Sequence, residues 1–181
     1  MKLRKMARCA MLAALMCLCA WISVPFGDVA VTMQTFALFL TLGLLGGKLG
    51  SLVCLLYLIL GAVGLPVFSG FRGGLGVLLG ATGGYIVGFL AASVVYWLIT
   101  ALLGQRFPVR LLGLLAGLAV CYGFGTLWFR YAYMDGGNSI SLGLILAKCV
   151  LPYLIPDLAK MALAMTLTEK LRRFIIPSPG A

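Results

Sequence analysis

Long apolar blocks alternate with short polar or glycine-rich connections along the whole chain. The blocks fall at approximately residues 6–24, 29–46, 49–65, 81–103, 111–129 and 140–171. A helix needs about 20 apolar residues to cross the hydrocarbon core of a bilayer. The pattern therefore predicts an all-α membrane protein, with six transmembrane helices in one domain over residues 1–181. The first block follows a basic segment, as in a secretory signal, but Ser23-Val24-Pro25-Phe26-Gly27 offers no small-residue cleavage pattern. It is expected to stay as the first helix. The second block opens with Val31-Thr32-Met33-Gln34-Thr35, polar where a lipid-facing helix should be apolar. Gln34 is thus a candidate for capping, packing or lining a pocket.

The last block departs furthest from a plain span. Leu151-Pro152-Tyr153-Leu154-Ile155-Pro156-Asp157-Leu158-Ala159-Lys160 sets two prolines, an acid and a base inside it. An ionisable side chain at membrane depth costs about 2.5–3.5 kcal/mol on insertion scales, so such groups usually face a cavity or one another. Asp157 and Lys160 are three apart and share a helix face. Two readings stay open: an ion pair that only holds helices in register, and a polar ligand site. Each proline removes a backbone donor, so the last helix is expected to be broken there. A restart at Pro156 would put Asp157 in the first turn, where the helix dipole favours a carboxylate. Asp157 would then accept hydrogen bonds from a solute and Lys160 would meet its anion.

Composition sharpens the class. The chain is 63% apolar and 10% charged, with a mean hydropathy of +1.14, whereas a soluble domain carries about 25% charged residues. The net charge of +10 abuts the apolar blocks without interleaved aromatics, so it reads as topology and contact with a lipid bilayer, not nucleic acid. Both termini on the cytoplasmic side place Lys2, Arg4, Lys5, Arg8, Lys48, Arg106, Arg110, Lys170, Arg172 and Arg173 inside, against Arg72 and Arg130 outside. That asymmetry fits the positive-inside rule.

Glycines and alanines mark close approach. Gly76, Gly80, Gly84 and Gly88 recur every four residues and are expected to strip one helix face for packing or a ligand. Thr82 and Tyr85 supply hydrogen-bonding groups beside them. On the first helix Ala7, Ala10, Ala13 and Ala14 form a small-residue face, and the Ala10-x-x-x-Ala14 spacing suits either internal packing or a partner helix. Several chemistries are excluded. No Gly-x-x-x-x-Gly-Lys-Ser/Thr loop occurs, so the chain is not expected to hydrolyse ATP. Histidine is absent, and the six cysteines lie in apolar runs without a CxxC pair. No metal, cofactor or catalytic residue is expected.

These blocks together resemble the BioY family, the biotin-binding S components of energy-coupling-factor (ECF) transporters. The likeness rests on Val31 to Thr35, on Tyr57-Leu58-Ile59-Leu60-Gly61-Ala62-Val63-Gly64-Leu65-Pro66-Val67-Phe68, on Gly73-Gly74-Leu75-Gly76-Val77-Leu78-Leu79-Gly80-Ala81-Thr82-Gly83-Gly84-Tyr85, and on Pro156-Asp157-x-x-Lys160. Ala81 stands where the family often has proline. The resemblance implies a prokaryotic cell-membrane protein that captures biotin from outside and pairs with a transmembrane T component and two cytosolic ATPases. It implies ligand contacts from Asp157, Lys160, Thr82 and Tyr85, with Gln34 and Arg72 near the pocket mouth, and docking of the T component on Ala10 and Ala14. The alternative is a stand-alone ion-coupled carrier for a small carboxylate-bearing solute. An intramembrane protease is disfavoured by the absence of histidine, of Gly-x-Ser-x-Gly and of paired carboxylates.

Overall fold

Among the described residues each apolar block is mainly helical, the form that satisfies backbone donors and acceptors where no water can. The computed structural model describes residues 2–24, 30–134 and 141–175. Asp28, Asp135 and Asn138 lie outside the described residues. The elements are α1 (Lys2–Trp21), β1 (Ser23–Val24), β2 (Val31–Thr32), α2 (Gln34–Ala62), α3 (Leu75–Leu79), α4 (Gly83–Leu103), α5 (Phe107–Met134), α6 (Leu142–Cys149) and α7 (Leu151–Ile175). The all-α expectation is corrected in one detail. The strands β1 and β2 pair antiparallel, Ser23 opposite Thr32, between α1 and α2.

Helix α2 is two arms. Gly46 has φ 76° and ψ 175°, a conformation that glycine reaches without the penalty of a side chain. A Cβ placed on Gly50 would lie 3.3 Å from the Cα of Leu42, although eight residues of straight helix span about 12 Å. Farther along, Gln34 at the start of one arm hydrogen-bonds Tyr57 near the end of the other. Residues 34–45 and 47–62 therefore run antiparallel, and they coincide with the second and third apolar blocks.

Helices α4 and α5 form a second antiparallel pair, packed through glycines on both sides. Added Cβ atoms would sit 2.2 Å from Trp128 at Gly84, 3.0 Å from Cys121 at Gly88 and 2.8 Å from the Ala92 carbonyl at Gly117. The expected single face of four glycines is corrected here. Gly76 lies in α3 with nothing within 4 Å, Gly80 follows the end of α3, and only Gly84 and Gly88 share α4. The turn at 80–82 ends the periodicity as a helical feature.

The last block bends by 43° between α6 and α7, at Val150, ahead of both prolines. Pro152 falls in the first turn of α7, where its missing donor is tolerated. Pro156 lies inside the helix, so the expected restart at Pro156 does not occur and Asp157 sits in the second turn. Among the described residues, three helices are long and apolar enough to cross a membrane, or four if the bent pair counts as one span. Helix α1 falls short because Arg4, Lys5 and Arg8 crowd its start. Two basic residues assigned to connections belong to α5 instead. Arg110 is buried and pairs with Glu169 of α7, and Arg130 lies in the last turns of α5. Lys148, exposed in the last turn of α6, escaped the sequence count.

The core is built around Met16, Leu38, Phe39, Tyr57 and Phe68, all fully buried. Helix α1 turns Ala13, Met16 and Ala20 inward, while Ala10 and Ala14 are exposed. Its alanines therefore divide between an inner and an outer face. Trp21 Nε1 donates to the Pro66 carbonyl at 2.7 Å and ties the end of α1 to the connection before α3.

Candidate functional site

A cavity of about 120 Å³ lies where the start of α2, the 68–82 connection, α4, α5, α6 and α7 converge. One water needs roughly 10–15 Å³ on the same measure, so the space suits a small solute. Phe68, Ile86 and Phe89 contribute apolar walls, and polar groups from β2, α2, α4, α5, α7 and the 68–82 connection interrupt them.

Asp157 is the chemical centre. It is 4% exposed, and helix α7 turns it inward between three donors. Thr35 Oγ1 donates to Oδ1 at 2.8 Å, Lys160 Nζ donates to Oδ1 at 2.7 Å, and Tyr122 Oη donates to Oδ2 at 2.6 Å. A carboxylate has about four acceptor sites. Oδ1 is filled by two donors, and Oδ2 keeps one site open. The three donors come from α2, α5 and α7, so the carboxylate is oriented by helices distant in sequence.

Lys160 is fully engaged within the protein. Besides Asp157, its ammonium donates to the Thr32 carbonyl at 2.7 Å and to Thr35 Oγ1 at 3.3 Å. An ammonium has three protons, and these partners use all of them. In this geometry Lys160 holds Asp157 in place and has no proton left for a solute anion. That differs from the sequence expectation, which could not see that the Thr32 carbonyl would lie within reach.

Gln34 is similarly committed. Its amide oxygen accepts from Thr32 Oγ1 at 2.9 Å, its Nε2 bonds Tyr57 Oη, and Tyr57 Oη donates to the Val67 carbonyl at 3.0 Å. This chain links the first arm of α2 to the 66–74 connection. Tyr85 is buried, with its hydroxyl 3.4 Å from Thr126 Oγ1, and its ring occupies the space that a Cβ on Gly125 of α5 would fill. Thr82 is half-buried at the cavity wall. Arg72 is exposed at the rim, where its Nε donates to the Ser69 carbonyl at 3.2 Å. Its terminal nitrogens bond no protein group among the described residues.

All six residues expected at a ligand site thus line one cavity: Gln34, Arg72, Thr82, Tyr85, Asp157 and Lys160. Sequence reasoning missed Thr35 and Tyr122, the other two donors to Asp157. Thr35 stood beside Gln34 in the polar opening of the second block, a usable signal. Tyr122 was concealed in a glycine-rich apolar block, where nothing marks a phenol as facing inward.

A multi-pass helical membrane protein with room for one small solute, a buried carboxylate within and an exposed guanidinium at the rim, is the class that fold and site define. The chain belongs to the BioY family, whose model matches residues 1–176. It is 36% identical over 171 residues to the biotin transporter BioY of Thermotoga maritima, covering 94% of this chain and 97% of that one. It is 41% identical to a probable biotin transporter BioY of Pyrococcus horikoshii, covering 95% and 98%. A crystal structure of the S-component for biotin from an ECF-type ABC transporter superposes with a TM-score of 0.83 over 95% of this chain and 92% of that one. At 24% identity that likeness speaks for the fold alone.

Proposed function

We propose that this chain is the biotin-capturing S component of an ECF-type transporter, a transport subunit and not an enzyme. The observation that carries the reading is the buried Asp157 carboxylate, with one acceptor site still open beside a solute-sized cavity. Biotin offers matching chemistry: a ureido group with N–H donors, an apolar ring system and a carboxylate on a flexible tail. Asp157 accepts a ureido N–H, Phe68, Ile86 and Phe89 cover the rings, and Thr82 and Tyr85 add polar contacts. The tail carboxylate meets the free terminal nitrogens of Arg72 in place of Lys160, since the Asp157–Lys160 pair is internally neutral. Lys160 and Gln34 serve the ligand by fixing the polar wall.

Six membrane crossings with both termini cytoplasmic complete the proposal. The fold-back at Gly46 supports it, because it makes two arms of α2, and α1, α4, α5 and the α6–α7 pair supply the other four. Uptake is driven by a T component and two cytosolic ATPases, consistent with the lack of a nucleotide-binding loop in this chain. The exposed Ala10 and Ala14 provide the docking strip for the T component. Equilibrium binding of radiolabelled biotin to detergent-purified protein tests the reading. Saturable binding at micromolar concentration or below is expected; its absence overturns the proposal.

A further inference from the structure

We propose that the start of α5 binds a phosphate group, carried by a lipid headgroup or free in solution, on Arg110 and Tyr96. The place is remote from the solute cavity. Arg110 and Glu169 lie twelve residues along α5 and α7 from Tyr122 and Asp157, about 18 Å of helix in each case. Arg110 directly precedes the apolar block 111–129, so it stands where hydrocarbon gives way to headgroups.

Two independent observations meet there. The first is a helix start without an acid of its own. Helix α5 has none in its first turn, although that end of a helix bears partial positive charge and attracts anions. The second is a set of buried donors without acceptors. Arg110 is 3% exposed, and its Nη2 donates to Glu169. Its Nε and Nη1 bond no protein group among the described residues, and neither does the hydroxyl of the fully buried Tyr96. Tyr96 reaches this end from α4, close enough for the charges of Arg110 and Arg172 to act on it. A buried donor left unpaired is costly, so such a set calls for an acceptor.

The charge balance indicates which one. Among the described residues Arg106, Arg110, Lys170 and Arg172 stand at these helix ends, with Glu169 as the one acid. A water accepts from two of the donors but brings two protons of its own, whereas phosphate oxygens accept throughout. The planar fork of arginine matches them in geometry. The side chain of Glu169 is 46% exposed, so it covers Arg110 from outside as a movable internal anion. An incoming phosphate takes its place at Nη2 and reaches Nη1 on the same edge of the guanidinium.

Thermal unfolding of the full chain in nanodiscs tests the site, with phosphatidylglycerol compared against phosphatidylcholine. The wild type should melt about 2–4 °C higher in phosphatidylglycerol. Arg4→Gln/Lys5→Gln, which lowers the charge of α1, should keep that shift. Glu169→Gln should widen it, because the competing carboxylate is gone; a structural brace would instead lower both midpoints equally and overturn the proposal. Tyr96→Phe should be no less stable in phosphatidylcholine and should show a smaller shift. The double variant Arg110→Met/Glu169→Gln strands no charge and should show none. In neutral detergent, inorganic phosphate is titrated against sodium chloride at matched ionic strength. A raised midpoint there identifies free phosphate as a ligand, and no rise beside an intact lipid shift identifies the headgroup. Equal midpoints in both lipids and with phosphate, or a shift retained in the double variant, overturn the proposal.

Discussion

Replacing the paired acid and base of the pocket, singly and together, separates structure from ligand binding. Asp157 is 4% exposed and holds three hydrogen bonds of 2.6–2.8 Å. The side chain of Lys160 is 11% exposed. Asp157→Asn leaves a buried ammonium without its counter-charge, and Lys160→Met leaves a buried carboxylate supported by two hydroxyls alone. Removing one partner of a buried pair costs about 3–5 kcal/mol. For a chain of this length each kcal/mol moves the unfolding midpoint by about 2–4 °C, so each single variant should melt on the order of 10 °C lower. The double variant Asp157→Asn/Lys160→Met strands no charge, and the methionine fills the space of the lysine stem. It should recover to within about 1–2 kcal/mol of the wild type. Biotin binding should not recover with it, since a hydrogen bond to a charged group is worth about 1.5–3 kcal/mol, or roughly 10- to 150-fold in affinity. Thermal unfolding followed by tryptophan fluorescence, with and without biotin, reads both quantities. Wild-type affinity in the double variant would show that the pair only holds the helices in register. Unchanged midpoints in both single variants would refute the burial argument.

Three further outcomes follow from the same geometry. Arg72→Ala should weaken biotin by about tenfold while leaving an amide of biotin nearly unaffected, because only the carboxylate needs the guanidinium; equal losses in competition binding would remove Arg72 from that role. Gly117→Ala should lower stability by about 1–3 kcal/mol, since its Cβ would press to 2.8 Å on the Ala92 carbonyl. Gly123→Ala on the same helix, with nothing within 4 Å, should be neutral or gain up to about 1 kcal/mol in helix propensity. Similar melting curves for the two would undermine the glycine seam between α4 and α5. Ala14→Leu, on the exposed side of α1, should leave biotin binding intact and abolish co-purification with the T component, and retention of the complex would move the docking surface elsewhere.

The helical membrane class could be read from the chain because membrane burial writes itself as long apolar blocks. The Gly46 turn was legible too, as a Gly-Gly-Lys break between two blocks. The bend at Val150 was not: proline signals where a helix cannot continue unbroken, yet Pro152 fits a first turn and Pro156 is carried within α7. The Asp157–Lys160 pair stood out because charge is costly in an apolar run. Its partners did not. Tyr122 and the Thr32 carbonyl are ordinary in sequence and acquire meaning only when α5 and the start of α2 pack against α7. Arg110 was misread for a similar reason, since a basic residue near a turn looks like a loop charge until Glu169 is seen beside it. The alanines of α1 were also ambiguous, as spacing alone cannot divide Ala13 from Ala10 and Ala14.

The pairing of Asp157 with Lys160 on neighbouring turns of one helix bears on how the chain is made. A helix delivered to the bilayer with a lone acid would carry that charge into hydrocarbon before any partner helix was in place. Here acid and base leave the ribosome three residues apart and can neutralise each other as soon as one turn has formed, so α7 enters as a dipole. The acceptors and donors that await it, Thr32, Thr35 and Tyr122, are all synthesised earlier. The segment that carries Asp157 therefore completes the pocket by docking into a slot whose other residues precede it, and a nascent chain halted before Asp157 has Thr32, Thr35 and Tyr122 without their central carboxylate.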